Sequence, residues 1–155
     1  MSVFETERLV MRPWREDDAE NLYKYASAPE VGPAAGWPVH TSVEDSLRVL
    51  REVLIEENTW AVTIKASDEP VGSIGVFRTD APNGNGAPEI GYWIGKPFWG
   101  CGYIPEAVRA LIDRCFNDGA ESVWCSHFAG NDKSRRVIEK CGFKFAVSKI
   151  GRAHV

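Results

Sequence analysis

A glycine-rich turn between a strand and a helix is the first place in this chain where residue types and spacing could do chemistry. Trp99-Gly100-Cys101-Gly102-Tyr103 follows a run of strand character, Glu89-Ile90-Gly91-Tyr92-Trp93-Ile94-Gly95. It precedes a stretch that puts Ile104, Val108, Leu111, Ile112 and Cys115 on one helical face. Such a junction leaves backbone N–H groups unpaired and pointing one way, with the helix dipole behind them, which suits a phosphate or diphosphate. Glycine removes the Cβ that would block the ligand's approach. Tight packing of a strand on a helix asks for the same residues, so the turn alone leaves both readings open. It is not a Walker loop, because GK[ST] is absent, and the third glycine of the dinucleotide fingerprint is missing.

The elements around the turn follow from periodicity. Leu9, Met11 and Pro13 alternate with Arg8, Val10 and Arg12, predicting a short strand, and Asp17-Asp18 start a helix through Leu22 and Tyr25 toward Pro29. Val31 to His40 is a Gly-, Pro- and Ala-rich loop with Trp37 and His40 as its bulky members. Thr41 or Ser42 caps a helix carrying Leu47, Leu50 and Leu54. Trp60–Ile64 and Val71–Phe77 read as strands, Asn83-Gly84-Asn85-Gly86 as a turn, and Glu89–Gly95 as the next strand. Val123–Phe128 is a strand, Asn131–Lys140 a helix ended by Gly142, and Phe143–Val147 a strand.

Composition bounds the class. The 155 residues, 44% hydrophobic and 26% charged, make room for one mixed α/β domain. No apolar run approaches the roughly 20 residues of a membrane span, and the N-terminus lacks the pattern of a signal peptide, so a cytoplasmic location is expected. A net charge of −4 argues against nucleic acid and mildly favours a cationic substrate. Cys101, Cys115, Cys125 and Cys141 form no CxxC pair, which predicts reduced thiols, no metal and no disulfide.

Longer stretches carry a resemblance. Glu89–Gly95 followed by Trp99-Gly100-Cys101-Gly102-Tyr103-Ile104-Pro105-Glu106-Ala107 resembles the acetyl-CoA segment of GNAT enzymes. Asn131-Asp132-Lys133-Ser134-Arg135-Arg136-Val137-Ile138-Glu139-Lys140-Cys141-Gly142-Phe143 resembles their second signature. Glu5-Thr6-Glu7-Arg8-Leu9, Arg12-Pro13-Trp14, Asp17-Asp18-Ala19, Gly36-Trp37-Pro38 and Thr41–Ser46 are similar to the ribosomal-protein alanine N-acetyltransferases, the RimJ/RimL group. The match spans nearly everything from Glu5 to Val147.

The resemblance implies a GNAT fold, a central mostly antiparallel mixed sheet of about six strands flanked by helices. Two central strands would splay apart to admit the pantetheine arm. Acetyl-CoA would be held by Trp93, Ile94, Gly95, Trp99, Gly100, Cys101, Gly102, Tyr103, Asn131 and Ser134, with an amide near Ile94 polarising the thioester carbonyl. An amine acceptor would attack directly, with Glu89 as general base through water. Glu89 could equally pair with an arginine or an amide. The family's usual tyrosine acid is replaced by Ile138, which leaves Ser134 as the nearest hydroxyl. Asn131 and Ser134 also fit a helix cap and first-turn filler, Trp37 and His40 an acceptor cleft or plain loop packing, and Lys133, Arg135 and Arg136 the CoA 3′-phosphate or a solvated face. Acetylation of a protein N-terminal amine is the leading expectation, by a monomer or homodimer. A small-amine acetyltransferase, a non-catalytic acyl-CoA-binding module and a nucleotide-binding module are the alternatives.

The end of the chain stands apart. Ile150-Gly151-Arg152-Ala153-His154-Val155 is the translation of a common sequencing-library adapter (ATC GGA AGA GCA CAC GTC). Residues 149–155 are therefore expected to be a non-native tail, with a genuine short polar tail as the alternative, and on the first reading the sheet lacks its last strand by truncation.

Overall fold

Leu9 and Met11 are fully buried while Val10 between them is half-exposed, the signature of a strand with one face on a core. The computed structural model describes residues 3–31, 38–79, 84–125, 139, 141–142, 144–147 and 152–154. They fall into two compact units, Met1–Gly75 with Tyr92–Tyr103, and Val76–Gly91 with Ile104–Val155.

In the first unit, β1 (Phe4–Glu5) pairs antiparallel with β2 (Leu9–Pro13), and β2 with β3 (Thr59–Ile64) in the register Leu9↔Ile64 to Pro13↔Trp60. β3 pairs antiparallel with β4 (Pro70–Arg78), whose residues from Val76 on belong to the second unit. A 3-10 turn, Glu16–Asp18, leads into α1 (Ala19–Ala26), with Leu22, Tyr25 and Ala26 buried at helical spacing. The Ser42 side chain caps α2 (Val43–Val49) by accepting the Asp45 N–H at 3.0 Å. α2 then widens into a π turn, Leu50–Leu54, closed by the Ile55 N–H on the Leu50 carbonyl at 2.8 Å. Trp14, Ala19, Leu22, Ala26, Leu50, Leu54 and Ala61 make the core of this unit.

A buried ion pair pins the corner between β2 and α1. Arg12 donates to both Asp18 oxygens at 2.9 and 2.8 Å and to Asp68 Oδ1 at 2.8 Å, and Arg15 also meets Asp68. Removing one partner of such a pair costs about 3–5 kcal/mol, because the other charge stays buried.

The second unit begins with a tight turn. Ala87 N–H donates to the Gly84 carbonyl at 3.0 Å, with Asn85 and Gly86 at φ of 53° and 71°. Those two left-handed residues are the central pair of the turn, a conformation that asparagine and glycine accept most readily. β5 (Pro88–Ile94) leaves this turn and pairs in parallel with β6 (Trp124–Cys125), as Glu89↔Trp124 and Ile90↔Cys125. Parallel neighbours need a crossover. α3 (Tyr103–Asn117) supplies it, burying Ile104, Ala107, Val108, Leu111, Ile112 and Cys115.

The six strands expected from sequence are β2 to β6 together with β7 (Lys144–Val147). One expectation is corrected: the sheet does not lack its last strand. Arg152–His154 form β8, paired antiparallel with β6 at Trp124↔His154 and Cys125↔Ala153, and with β7. Ladder bonds use main-chain groups, so an open edge at β6 accepts a short segment of almost any composition. The predicted helix Asn131–Lys140 lies outside the described residues except for Glu139, which is helical. The predicted splay of the strands beyond Cys125 also lies outside them.

Candidate active site

The end of β5 and the turn after it lie in the first unit. β4 approaches β5 so closely at Gly72 that a Cβ there would sit 2.4 Å from the Trp93 carbonyl oxygen. The Ile94–Gly95 peptide is gripped from both sides: the Trp99 indole N–H donates to the Ile94 carbonyl at 3.0 Å, and the Gly95 N–H to the Val71 carbonyl at 2.7 Å. Those two groups are therefore spent on the fold.

The turn itself is built on aromatic rings. A Cβ on Gly95 would lie 2.7 Å from the Tyr25 ring, so α1 packs flat against the backbone there. Tyr25 is edge-on to Phe98 at 5.5 Å, Phe98 lies 6.4 Å from Tyr103, and Trp93 stacks on Trp14 at 6.3 Å. The Tyr25 hydroxyl donates to Glu69 at 2.9 Å, and burial, followed by that carboxylate, pushes the phenol above its ordinary range.

Gly100 and Gly102 have φ of 77° and 80°, values that L side chains resist. A Cβ on Gly100 would meet nothing within 4 Å. Glycine is thus required there by backbone conformation, and the space over it is open. Gly100, Cys101 and Gly102 are exposed, and α3 starts at Tyr103. An open, left-handed turn feeding a long helix fits an anionic group on its amides.

Glu89 belongs to the second unit. It is 1% exposed, and its Oε1 accepts the Thr79 hydroxyl at 2.7 Å. Thr79 is itself buried and held by its N–H on the Ala87 carbonyl at 2.8 Å. A carboxylate in this setting has one oxygen oriented by a neighbour that a main-chain bond holds in place.

His40 is buried, with Nδ1 2.8 Å from Ser46 Oγ and its N–H on the Ala26 carbonyl at 3.2 Å. Burial lowers its pKa. Trp37, Asn131, Ser134 and Ile138 lie outside the described residues. Among the described residues no group of three or more His, Cys, Asp or Glu is placed to hold a metal, and no helix is long and apolar enough to cross a membrane. Two residues that sequence reasoning missed stand out. Thr79 carries no local signal: its N–H meets the Ala87 carbonyl, whereas the register of a turn at Asn85-Gly86 sets Gly84 opposite Ala87. Arg8, whose Nη1 donates to the Cys101 carbonyl at 2.9 Å, carries no local signal, because 93 residues separate the pair.

Residues 8–144 match the acetyltransferase (GNAT) domain family. The chain belongs to that family. An uncharacterized N-acetyltransferase, p20 of Bacillus licheniformis, is 35% identical over 121 residues, covering 75% of this chain and 67% of the relative. The ribosomal-protein-serine acetyltransferase of Escherichia coli is 29% identical over 109 residues, 68% of this chain and 52% of that one. A GNAT-family acetyltransferase from Bacillus anthracis shares the fold with a TM-score of 0.83 at 20% identity, over 99% of this chain and 98% of its own. The protein is an acetyltransferase, and GNAT enzymes use acetyl-CoA as co-substrate.

Proposed function

We propose that this acetyltransferase moves the acetyl group of acetyl-CoA to a protein N-terminal α-amine by direct attack in a ternary complex, in the cytoplasm. The observation that carries the donor half is the exposed turn with two positive-φ glycines at the head of α3. The acceptor half is supported by the RimJ/RimL-like N-terminal motifs and by the ribosomal-protein-serine acetyltransferase among the relatives.

The steps balance without a metal or an acyl-enzyme. An α-amine has a pKa of about 8 and is largely protonated at neutral pH. Glu89, oriented by Thr79, takes the proton through water. The freed nitrogen attacks the thioester carbonyl, the C–S bond breaks, and the second proton of that nitrogen passes to the departing thiolate, so that the amide and CoA thiol leave. Ser134 is the hydroxyl assigned to that thiolate, Asn131 hydrogen-bonds the pantetheine, and Trp93, Ile94, Gly95 and Trp99–Tyr103 line its path. Trp37 and His40 border the acceptor.

Release of free CoA is the readout, with acetyl-CoA and a panel of acceptors: peptides with free N-terminal Ala or Ser, the same peptides blocked, polyamines, and aminoglycosides. Turnover confined to the unblocked peptides is expected, whereas turnover on a polyamine or aminoglycoside alone rejects the acceptor assignment. Glu89→Gln should lower kcat about a hundredfold, the usual scale of general base catalysis, while acetyl-CoA binds as before. An unchanged kcat removes Glu89 from the chemistry.

A further inference from the structure

Arg8 touches the turn at three points from the far end of the sequence. Its backbone is fixed first: the Arg8 carbonyl accepts the Lys65 N–H at 2.8 Å, and Thr6 and Leu9 close the bend around it through bonds of 2.9 and 3.1 Å. From this anchor the guanidinium reaches the turn. Nη1 donates to the Cys101 carbonyl at 2.9 Å, Cζ lies 4.5 Å over the centre of the Tyr103 ring, and Nη2 is 3.3 Å from where a Cβ on Gly102 would stand.

A trans peptide is planar, with its C=O and N–H pointing opposite ways. Holding the Cys101 carbonyl toward Arg8 therefore sends the Gly102 N–H to the other side of the turn. That peptide turns about ψ of Cys101 and φ of Gly102, and on the glycine side no Cβ resists the rotation. We infer that Arg8 is a positioning residue for the donor: it locks the Cys101–Gly102 peptide so that the Gly102 N–H faces the donor's diphosphate, and the Tyr103 ring holds the guanidinium in place. This rests on the reading that the turn binds the diphosphate. A lysine is a point donor and lacks the flat fork that lies on a ring and a carbonyl together.

The test compares acetyl-CoA with S-acetylpantetheine, which keeps the thioester and loses the diphosphate. Dissociation constants and kcat/KM are measured for both donors in the wild type, Arg8→Gln and Arg8→Lys. The wild type should prefer acetyl-CoA strongly. Arg8→Gln should cut that preference about tenfold, the scale of one charge-assisted contact, through KM rather than kcat, and Arg8→Lys should recover part of it. Equal losses on both donors, or an unchanged preference, overturn the role of Arg8. A wild type that does not distinguish the donors refutes the diphosphate reading itself. Should Arg8→Gln fail to fold, Tyr103→Leu, which removes only the ring, must show the same fall in preference or the inference fails.

Discussion

Cys101 stands at the exposed tip of the turn, between the two left-handed glycines, with its Sγ 3.9 Å from the Trp99 carbonyl. The other three thiols have different surroundings. Cys115 and Cys125 are buried and Cys141 is half-buried; burial pushes both Cys115 and Cys141 above the usual thiol range. A small alkylating agent should therefore label Cys101 first, since reaction needs access and thiolate. Donor bound on the turn would cover that sulfur. At a hundred times the dissociation constant only about 1% of the protein is free, so acetyl-CoA should slow Cys101 labelling up to about a hundredfold, read by mass spectrometry of the peptide. The remaining thiols control for general tightening of the fold. Labelling at an unaltered rate would place the donor elsewhere. The left-handed glycines of the turn were legible at this scale because a strand–helix junction asks for them. Arg8 was not, because its meaning comes from a contact 93 residues away.

At the scale of elements, α2 is held by its cap and by the contact between His40 and Ser46 just before and within it. Burial depresses the His40 pKa; Asp45 pulls it back up and Arg48 pushes it further down. The unfolded chain takes up a proton near pH 6.5, whereas the folded ring resists it. Protons thus favour the unfolded state below that pH, and the stability tied to His40 is complete above it and lost as pH falls through the folded pKa. Melting temperatures recorded from pH 7.5 to 5 should drop more for the wild type than for His40→Asn, which keeps a polar partner for Ser46 and cannot titrate. Parallel curves would show that His40 is not responsible. Helices and long strands were readable because their periods persist over several residues: Ile104, Val108, Leu111, Ile112 and Cys115 are all buried on α3. The two-residue β1, the three-residue β8 and the π turn at Leu50–Leu54 were not readable. Pieces that short have no period, and the edge or core they meet decides their conformation.

For the whole molecule, the sharpest consequence is selective stabilisation by the donor. A ligand that binds only the folded state adds RT ln(1 + [L]/Kd), about 2.7 kcal/mol at a hundred times Kd. In a chain of 155 residues that corresponds to a rise in Tm of about 5–10 °C. Acetyl-CoA should give this shift, whereas ATP and NAD at equal concentration should give none. Each nucleotide carries a diphosphate that the amides of the turn could touch, but neither carries the pantetheine arm that extends contacts to β5. The net charge of −4 works against a polyanion held by charge alone, so the discrimination must come from the shaped turn and the strand beside it. Raising the salt concentration should then leave most of the shift in place, because directed hydrogen bonds are screened far less than exposed charge pairs. A shift that vanishes with salt, or that ATP reproduces, would mean that the turn recognises phosphate in general and that the acyl donor has no privileged place on it.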